Sequence, residues 1–298
     1  MGFRHINISS PGKISIENNK LVFSPAQSDQ DRLKIPLDDI SVLILENRQI
    51  VLSSYVLSVL TEKDIAVFFC DAKHLPIGLS LPFQSFGTQK LRIEEQVKLT
   101  LPFRKQIWAK IIATKIYNQS LHLKKLKKED HSKLLELSKR ILSGDSDNKE
   151  AQASKIYFAA LFGNNFSRDD EDNIVNILLN YSYSLVRGSI SRELVAHGFI
   201  PSIGIFHKNQ YNNFNLSDDF IEPFRPSIDS RVIEMLKYSQ INQISPKIKE
   251  EVLKIFGEHV IQENKKITIK QSIEITIKSF VSSINSNSVQ KLSLPKFL

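Results

Sequence analysis

The sequence predicts an α+β protein in which a small β-rich domain, residues 1–85, is followed by a larger all-α domain, residues 86–298. Short apolar runs separated by turn residues fill the first part, whereas apolar residues recur at helical spacing in the second. The length of 298 residues also exceeds what a single small core needs.

The β-rich part is predicted from closely spaced apolar runs. Ser10-Pro11-Gly12 and Asn18-Asn19 are typical of the tight turns between such runs. This spacing favours a compact sheet or sandwich. The predicted strands are residues 3–8, 13–16, 21–23, 40–45, 65–70 and 77–81, with a further apolar element at 51–60.

The helical part follows a boundary predicted at residues 82–87. Trp108, Ile112 and Ile116 recur at helical spacing, and Gly198 is a typical helix stop. The predicted helices are residues 89–117, 133–142, 151–162, 172–189, 191–197, 227–238, 247–260 and 270–285. The tail, residues 291–298, is predicted to be loosely structured, with Leu292, Leu294, Pro295 and Phe297 as docking residues.

Composition excludes several classes of protein. The longest apolar runs are far too short to span a bilayer, and no apolar signal core follows Met1, so we expect a cytoplasmic protein that makes no membrane contact. Cys70 is the single cysteine, which excludes an internal disulfide and a cysteine-cluster zinc site.

The net charge of +8 is concentrated in one segment. Residues 86–140 carry fourteen Lys or Arg against five Asp or Glu, while the segments before and after are nearly neutral. A localised basic surface suits a polyanion. A solvated helix face is the other interpretation of such a run.

Three segments of the helical part could carry chemistry, and two of them each contain one prominent side chain. Glu150 opens a small-residue helix, where a glutamate can also serve only to favour the helix dipole. His207 ends the bend at residues 198–207, whose two glycines and proline permit close approach of a backbone or a phosphate. A lone histidine can equally be a hydrogen-bonded structural residue.

The third segment, residues 218–226, reads Asp-Asp-Phe-Ile-Glu-Pro-Phe-Arg-Pro. Asp219 and Glu222 share one face of a helix, where their carboxylates repel unless a cation lies between them. The same acids could instead begin a helix and oppose its dipole. Arg225 could pair with Glu222 or Asp229, or hold a phosphate.

Four motifs occur in a fixed order along the helical part. A glutamate leads an alanine-rich helix with a Tyr-Phe pattern at residues 150–158, and an Asn-Tyr-x-Tyr pattern begins at Asn180. A Gly-x-x-Pro-x-x-Gly-x-x-His turn follows at 198–207, and Asp-x-x-Glu-Pro-Phe-Arg-Pro at 219–226. In this order the motifs resemble those of the CRISPR-associated spacer integrases, the Cas-one proteins. The pattern at 291–297 is similar to members that accompany Cas-nine (type II) systems.

The resemblance implies a catalytic helical domain whose metal ligands are Glu150, His207 and Glu222, supported by Asp219, Arg225 and Asn180. It implies a β-rich domain that forms homodimers, and a heterohexamer in which two dimers join a dimer of the smaller Cas-two partner. The substrates would be double-stranded DNA, namely the spacer precursor and the CRISPR repeat. The basic residues expected to contact DNA are Arg104, Lys105, Lys110, Lys124, Lys125, Lys127 and Lys128.

Two carboxylates and one imidazole suit Mg²⁺ or Mn²⁺, and the histidine favours Mn²⁺. The residues alone predict metal-assisted phosphodiester chemistry. The resemblance adds integration, in which the spacer 3′-hydroxyl attacks the repeat by transesterification. The alternatives are a metal-dependent DNA nuclease or branched-DNA resolvase, and a non-enzymatic nucleic-acid scaffold whose acids only cap helices.

Overall fold

A computed structural model describes residues 4–26, 32–72, 76–80, 89–238 and 241–298. It divides the chain into two compact units, residues 1–85 with 245–253 and residues 86–244 with 254–298. The boundary predicted at residues 82–87 lies outside the described residues. Residues 245–253, which the predicted limits assign to the second domain, belong to the first unit.

The strands of the described residues form three sheets. They are β1 (Arg4–Ile8), β2 (Gly12–Glu17), β3 (Lys20–Pro25), β4 (Leu33–Pro36), β5 (Ile40–Leu45), β6 (Ile50–Leu52), β7 (Ala66–Cys70), β8 (Pro76–Ser80), β9 (His259–Gln262), β10 (Lys265–Thr268) and β11 (Lys296–Phe297). The sheet β1-β5-β7-β8 is parallel except for β8. The sheet β4-β3-β2-β6 is antiparallel except for the β2–β6 pair, and β10-β9-β11 is antiparallel throughout.

The helices lie mostly in the second unit, so the predicted α+β class is confirmed. Those described are α1 (Ser54–Glu62), α2 (Gln89–Lys98), α3 (Leu101–Lys125), α4 (His131–Ser138), α5 (Lys149–Phe162), α6 (Ile174–Ala196), α7 (Asn215–Ile221), α8 (Arg225–Tyr238), α9 (Pro246–Leu253) and α10 (Ile269–Asn285). Short 3-10 turns lie at Leu37–Asp39, Ser143–Asp145, Glu222–Phe224, Lys254–Gly257 and Val289–Lys291. None of these helices is long and apolar enough to cross a membrane.

The core of the first unit combines side chains from both of its sheets and from α1. Leu21 of β3, Leu43 of β5 and Leu60 of α1 are completely buried in one cluster. Helix α9 adds Lys249, whose Nζ lies 2.7 Å from Oε1 of Glu46, and both side chains are almost fully buried. The unit is therefore completed by a segment that follows most of the second unit in the sequence.

Helix α3 is the central element of the second unit and contacts α4, α5, α8 and β11. The helices predicted at 172–189 and 191–197 form one continuous helix, α6, which ends before Gly198 at a φ of +84°. The helix predicted at 247–260 ends at Leu253, and residues 259–262 form a strand instead. The predicted all-α domain thus also carries the small sheet β10-β9-β11, because Glu263 and Asn264, both at positive φ, form the tight turn of a β9–β10 hairpin.

The predicted tail is docked against α3 rather than loose. Leu292, Leu294 and Phe297 are buried, and β11 pairs with β9. The side chain of Asn118 on α3 donates to the carbonyl oxygens of Pro295 (3.0 Å) and Pro223 (2.8 Å). Its Oδ1 accepts the Phe297 N–H at 3.0 Å. One buried amide therefore connects the tail to the turn that carries Glu222.

Candidate functional site

Glu150 and Glu222 converge on one buried cation, the ammonium of Lys115. Lys115 Nζ lies 2.6 Å from Oε1 of Glu150 and 2.5 Å from Oε2 of Glu222. The lysine side chain is only 7% exposed. Lys115 lies on α3, so three segments distant in sequence meet at this position. Sequence reasoning did not identify Lys115, because nothing local to the lysine indicates these two partners.

The carboxylate of Glu222 is held between two cations. Arg225 Nε donates to its Oε1 at 2.8 Å, and the Arg225 guanidinium lies 4.3 Å from the ring centre of Tyr183. Burial alone would raise the pKa of Glu222, but Arg225 and Lys115 outweigh burial and lower this pKa to about 2. Glu222 is therefore ionised throughout the physiological range, and the predicted Arg225–Glu222 pairing is present.

Local hydrogen bonds fix the start of α5 and with it Glu150. Asn148 adopts a left-handed conformation with a φ of 52° and accepts the Ala151 N–H through its side chain. The carboxylate of Asp145 accepts the N–H groups of Lys149 (2.8 Å) and Glu150 (3.0 Å). Both side chains satisfy N–H groups that the first turn of a helix leaves unpaired. The Glu150 side chain is consequently free to pair with Lys115 instead of capping its own helix.

His207 is paired with Asp219, which is completely buried on α7. Asp219 Oδ1 lies 2.8 Å from His207 Nδ1, and the same carboxylate accepts the backbone N–H groups of Ile205, Phe206 and His207. Burial lowers the pKa of His207, but Asp219 outweighs burial and the net change is upward, with a smaller contribution from Glu222. This pairing leaves Nε2 as the ring nitrogen that can act as a ligand.

The bend before His207 requires glycine at one position. A Cβ at Gly204 would lie 2.3 Å from the His207 carbonyl oxygen and 3.0 Å from Asp219 Oδ2. Trp108 of α3 stacks on Phe206 at 4.2 Å and meets the His207 ring edge-on at 5.5 Å. The groups that closely approach Gly204 are therefore the protein's own backbone and the Asp219 carboxylate. These contacts fix the orientation of His207.

A buried chain of polar side chains continues inward from Arg225. Tyr183 and Tyr157 both donate to the carboxylate of Asp229, and the Tyr157 hydroxyl lies 2.7 Å from His122 Nδ1. Burial raises the pKa of Asp229 to about 6, although both tyrosine hydroxyls act in the opposite direction. Burial also lowers the pKa of His122 to about 3, so this imidazole stays neutral.

A cavity of about 160 Å³ opens beside the carboxylates. Arg168, which sequence reasoning missed, lines this cavity and lies over the rings of Phe158 and Tyr183. It donates to Oδ1 of Asn180 at 2.7 Å. The predicted supporting residue Asn180 is exposed on α6 and orients Arg168, so its link to the site runs through a cation.

The predicted ligands match Mg²⁺ or Mn²⁺ in donor type but do not meet at one point. Among the described residues, no three His, Cys, Asp or Glu side chains are grouped so that they could hold a metal. Glu150 and Glu222 do converge on a cation position, and the buried Oε2 of Glu222 contacts Lys115 without hydrogen-bond geometry. The two carboxylates therefore fit a hard divalent ion in donor type and in position, whereas the His207 imidazole, paired with Asp219, fits it in donor type alone.

The basic residues selected from the sequence fall into two groups. Arg104 donates to the carbonyl oxygens of Gly204 and Ile205, and Lys110 donates to those of Val289 and Leu292. These two cations support the bend and the tail. Lys105, Lys124, Lys125, Lys127 and Lys128 are exposed on α3 or directly after it, and Lys125 lies over the Phe297 ring.

Comparison with known proteins gives consistent matches over nearly the whole chain. A family model described as CRISPR associated protein Cas1 matches residues 6–264. The CRISPR-associated endonuclease Cas1 of Neisseria meningitidis serogroup C (strain 8013) is 34% identical over 300 residues, covering 100% of this chain and 97% of the relative. A casposase bound to integration product has a TM-score of 0.77 at 18% identity, covering 97% of this chain and 92% of that chain. A chain of the Cas6-RT-Cas1–Cas2 complex has a TM-score of 0.78 at 18% identity, covering 99% of this chain and 36% of that chain.

The fold and the site together define a class of protein in which a β-rich unit is combined with a helical unit that bears an acidic site. The chain belongs to the Cas1 family of CRISPR-associated proteins. The resemblance inferred from the four ordered motifs is thereby confirmed. The two solved structures are less than 25% identical to this chain, so what they show of this chain is its fold.

Proposed function

We propose that the protein is a metal-dependent DNA endonuclease and integrase of CRISPR adaptation, which joins spacer 3′-hydroxyl ends to the repeat of a CRISPR array by transesterification. The observation that carries this proposal is the convergence of Glu150 and Glu222 on one buried cation position, with the His207–Asp219 pair nearby. Support for the class comes from family membership and from the relative named an endonuclease.

Glu150, Glu222 and His207 would hold Mg²⁺ or Mn²⁺. Such an ion, when bound, supplies charge stabilisation at a scissile phosphate and helps to orient the attacking hydroxyl. Arg225 keeps Glu222 ionised and fixed. Asp219 accepts from His207 Nδ1, which fixes the ring and directs Nε2 away from the carboxylate. The protein thus positions three ligand groups, two of them through a partner that limits their movement.

The exposed lysines at the end of α3 and directly after it are the proposed DNA contacts. Lys124, Lys127 and Lys128 suit the phosphate backbone, which needs charge more than base reading. We further propose that the β-rich domain mediates homodimerisation and that a Cas-two protein joins the assembly. A solved complex containing Cas1 and Cas2 supports that partner, and the pattern at 291–297 supports a type II system.

A strand-transfer assay tests the proposal. The wild-type protein with its Cas-two partner should join a 5′-end-labelled duplex with free 3′-hydroxyl ends to repeat DNA in Mg²⁺ or Mn²⁺, and EDTA should abolish joining. Glu150→Gln and His207→Ala should lose joining while keeping their fold and DNA binding. Glu136→Gln, which alters an exposed glutamate on α4, is the matched control. Released fragments without joined products would favour the nuclease, and DNA binding without metal-dependent chemistry would favour the scaffold.

A further inference from the structure

We propose that Lys115 is an internal substitute for the metal, whose ammonium fills the cation position between Glu150 and Glu222 until a divalent ion displaces it. This inference rests on the proposed function and deepens it. It assigns to Lys115 a positioning role that controls when the site accepts a metal. The two carboxylates that the ion needs are the two that the ammonium engages.

The geometry around Lys115 is that of an enclosed cation site. Its Nζ lies 2.6 and 2.5 Å from one oxygen of each glutamate, and its side chain is 7% exposed. A lysine is rarely buried this far unless its charge is compensated. A divalent ion bound to the same two oxygens would occupy the space that the ammonium fills, because metal ions and ammonium groups both lie close to the carboxylate oxygens that they bind. The ammonium and the ion therefore compete.

The charge balance of the cluster supports this competition. Lys115 and Arg225 carry two positive charges, and Glu150 and Glu222 carry two negative charges. The cluster is thus neutral without a metal. A divalent ion added to it would leave two uncompensated positive charges at a largely buried position, which is unfavourable. Movement of the Lys115 ammonium away from the carboxylates and the arrival of a DNA phosphate would each reduce that excess.

A position that could receive the displaced ammonium lies one helical turn further along α3. Gln119 lines the same cavity of about 160 Å³ as Lys115, Glu150 and Glu222. Its Oε1 is buried and has no hydrogen-bond partner among the described residues, which is uncommon for a native amide. Side chains four residues apart lie on the same helix face, and the lysine stem is flexible. Gln119 Oε1 would therefore accept the ammonium when the metal occupies the carboxylates.

The experiment measures Mn²⁺ binding to the full-length protein without DNA, by electron paramagnetic resonance and calorimetry. Lys115→Met should bind Mn²⁺ more tightly than wild type. If the ammonium fills the site about nine-tenths of the time, its removal tightens the apparent dissociation constant about tenfold. In EDTA, Lys115→Met should melt at a lower temperature than wild type. Mn²⁺ in place of EDTA should raise the melting temperature of Lys115→Met by more than it raises that of wild type. Lys133→Met, which removes an exposed ion-paired lysine, should change neither measurement.

Gln119→Leu provides a second test that leaves both carboxylates and Lys115 in place. It should weaken Mn²⁺ binding in the wild-type background and have no effect in the Lys115→Met background, a coupling that a double-mutant cycle measures. The inference is wrong if Lys115→Met binds Mn²⁺ no more tightly than wild type. It is also wrong if Gln119→Leu changes Mn²⁺ binding equally in both backgrounds. If wild type still performs strand transfer, that result leaves the proposed function intact. If neither wild type nor Lys115→Met binds Mn²⁺ in a Glu222-dependent manner, the proposed function fails and the inference with it.

Discussion

Replacing Glu222 with glutamine should destabilise the helical unit and remove part of its acid sensitivity. In the wild-type protein, Glu222 lies between Lys115 and Arg225, at 2.5 and 2.8 Å from their nitrogens. The glutamine is nearly the same size but carries no charge. Lys115 would then keep only Glu150 as a carboxylate partner, and Arg225 would lose the carboxylate to which it donates. The expected loss comes from uncompensated charge rather than from altered packing.

The magnitude follows from the pKa of Glu222, which falls from an ordinary value of 4.5 to about 2 in the folded protein. A depressed pKa of this size corresponds to about 3 kcal/mol of stability at neutral pH. Breaking a buried ion pair by removing one partner costs about 3–5 kcal/mol, in agreement with that value. For a domain of this size the melting temperature should fall by roughly 10 °C.

Differential scanning calorimetry in EDTA, from pH 7 down to pH 3, measures both parts of this prediction. Because the folded pKa is depressed, the contribution of Glu222 is complete above its unfolded pKa and is lost as the pH falls toward 2. The difference between wild type and Glu222→Gln should therefore shrink to about half at pH 3. Glu136→Gln, an exposed control, should shift stability by less than about 0.5 kcal/mol. Equal melting temperatures at pH 7, or a difference that does not shrink in acid, would refute this explanation.

Two further predictions concern DNA and the tail. Reversing Lys124, Lys127 and Lys128 to glutamate should reduce the slope of log affinity against log salt by about 0.9 for each lost phosphate contact. The same reversal at Lys133, Lys139 and Arg140 is the control, and an unchanged slope in the first variant would remove these lysines from the DNA surface. Asn118→Ala should leave two carbonyl groups and one N–H unpaired, at about 1–3 kcal/mol for each buried group. Limited proteolysis should then cleave after Lys291 faster than in wild type, and an equally protected tail would show that Asn118 does not hold it.

The ligand set could be proposed from sequence because its motifs occur in a recognisable order, but the site's cation could not. Lys115 reaches Glu150 and Glu222 only through the packing of α3, and no local pattern indicates a contact between such distant positions. Charge counting also could not separate Arg104, which donates to two backbone carbonyl groups, from the exposed lysines. Net charge reports how many cations a segment has, not which groups they face.

In the fold, as in the site, features set by local sequence could be predicted, whereas features set by contacts between distant residues could not. Helix α3 was predicted within residues 89–117 from its apolar period, although the chain makes two helices there and α3 continues to Lys125. Gly198 was identified as the end of α6 from its residue type alone. The strands β4, β9, β10 and β11 were missed because each has only two to four residues, and β11 becomes a strand by pairing with β9. Such short elements depend on their partners more than on their own propensity.

The buried pair of Lys249 and Glu46 has a consequence for how the chain folds during synthesis. Glu46 emerges about 200 residues before its partner, whereas Asn7, which donates to the second carboxylate oxygen of Glu46, is a near neighbour in the sheet. The ion pair between Lys249 and Glu46 therefore cannot form until α9 has been synthesised. An excised fragment of residues 1–85 would lack α9 and, with it, this ion pair. Folding of this unit should accordingly be slow and late, since its final contact closes one of the longest loops in the chain.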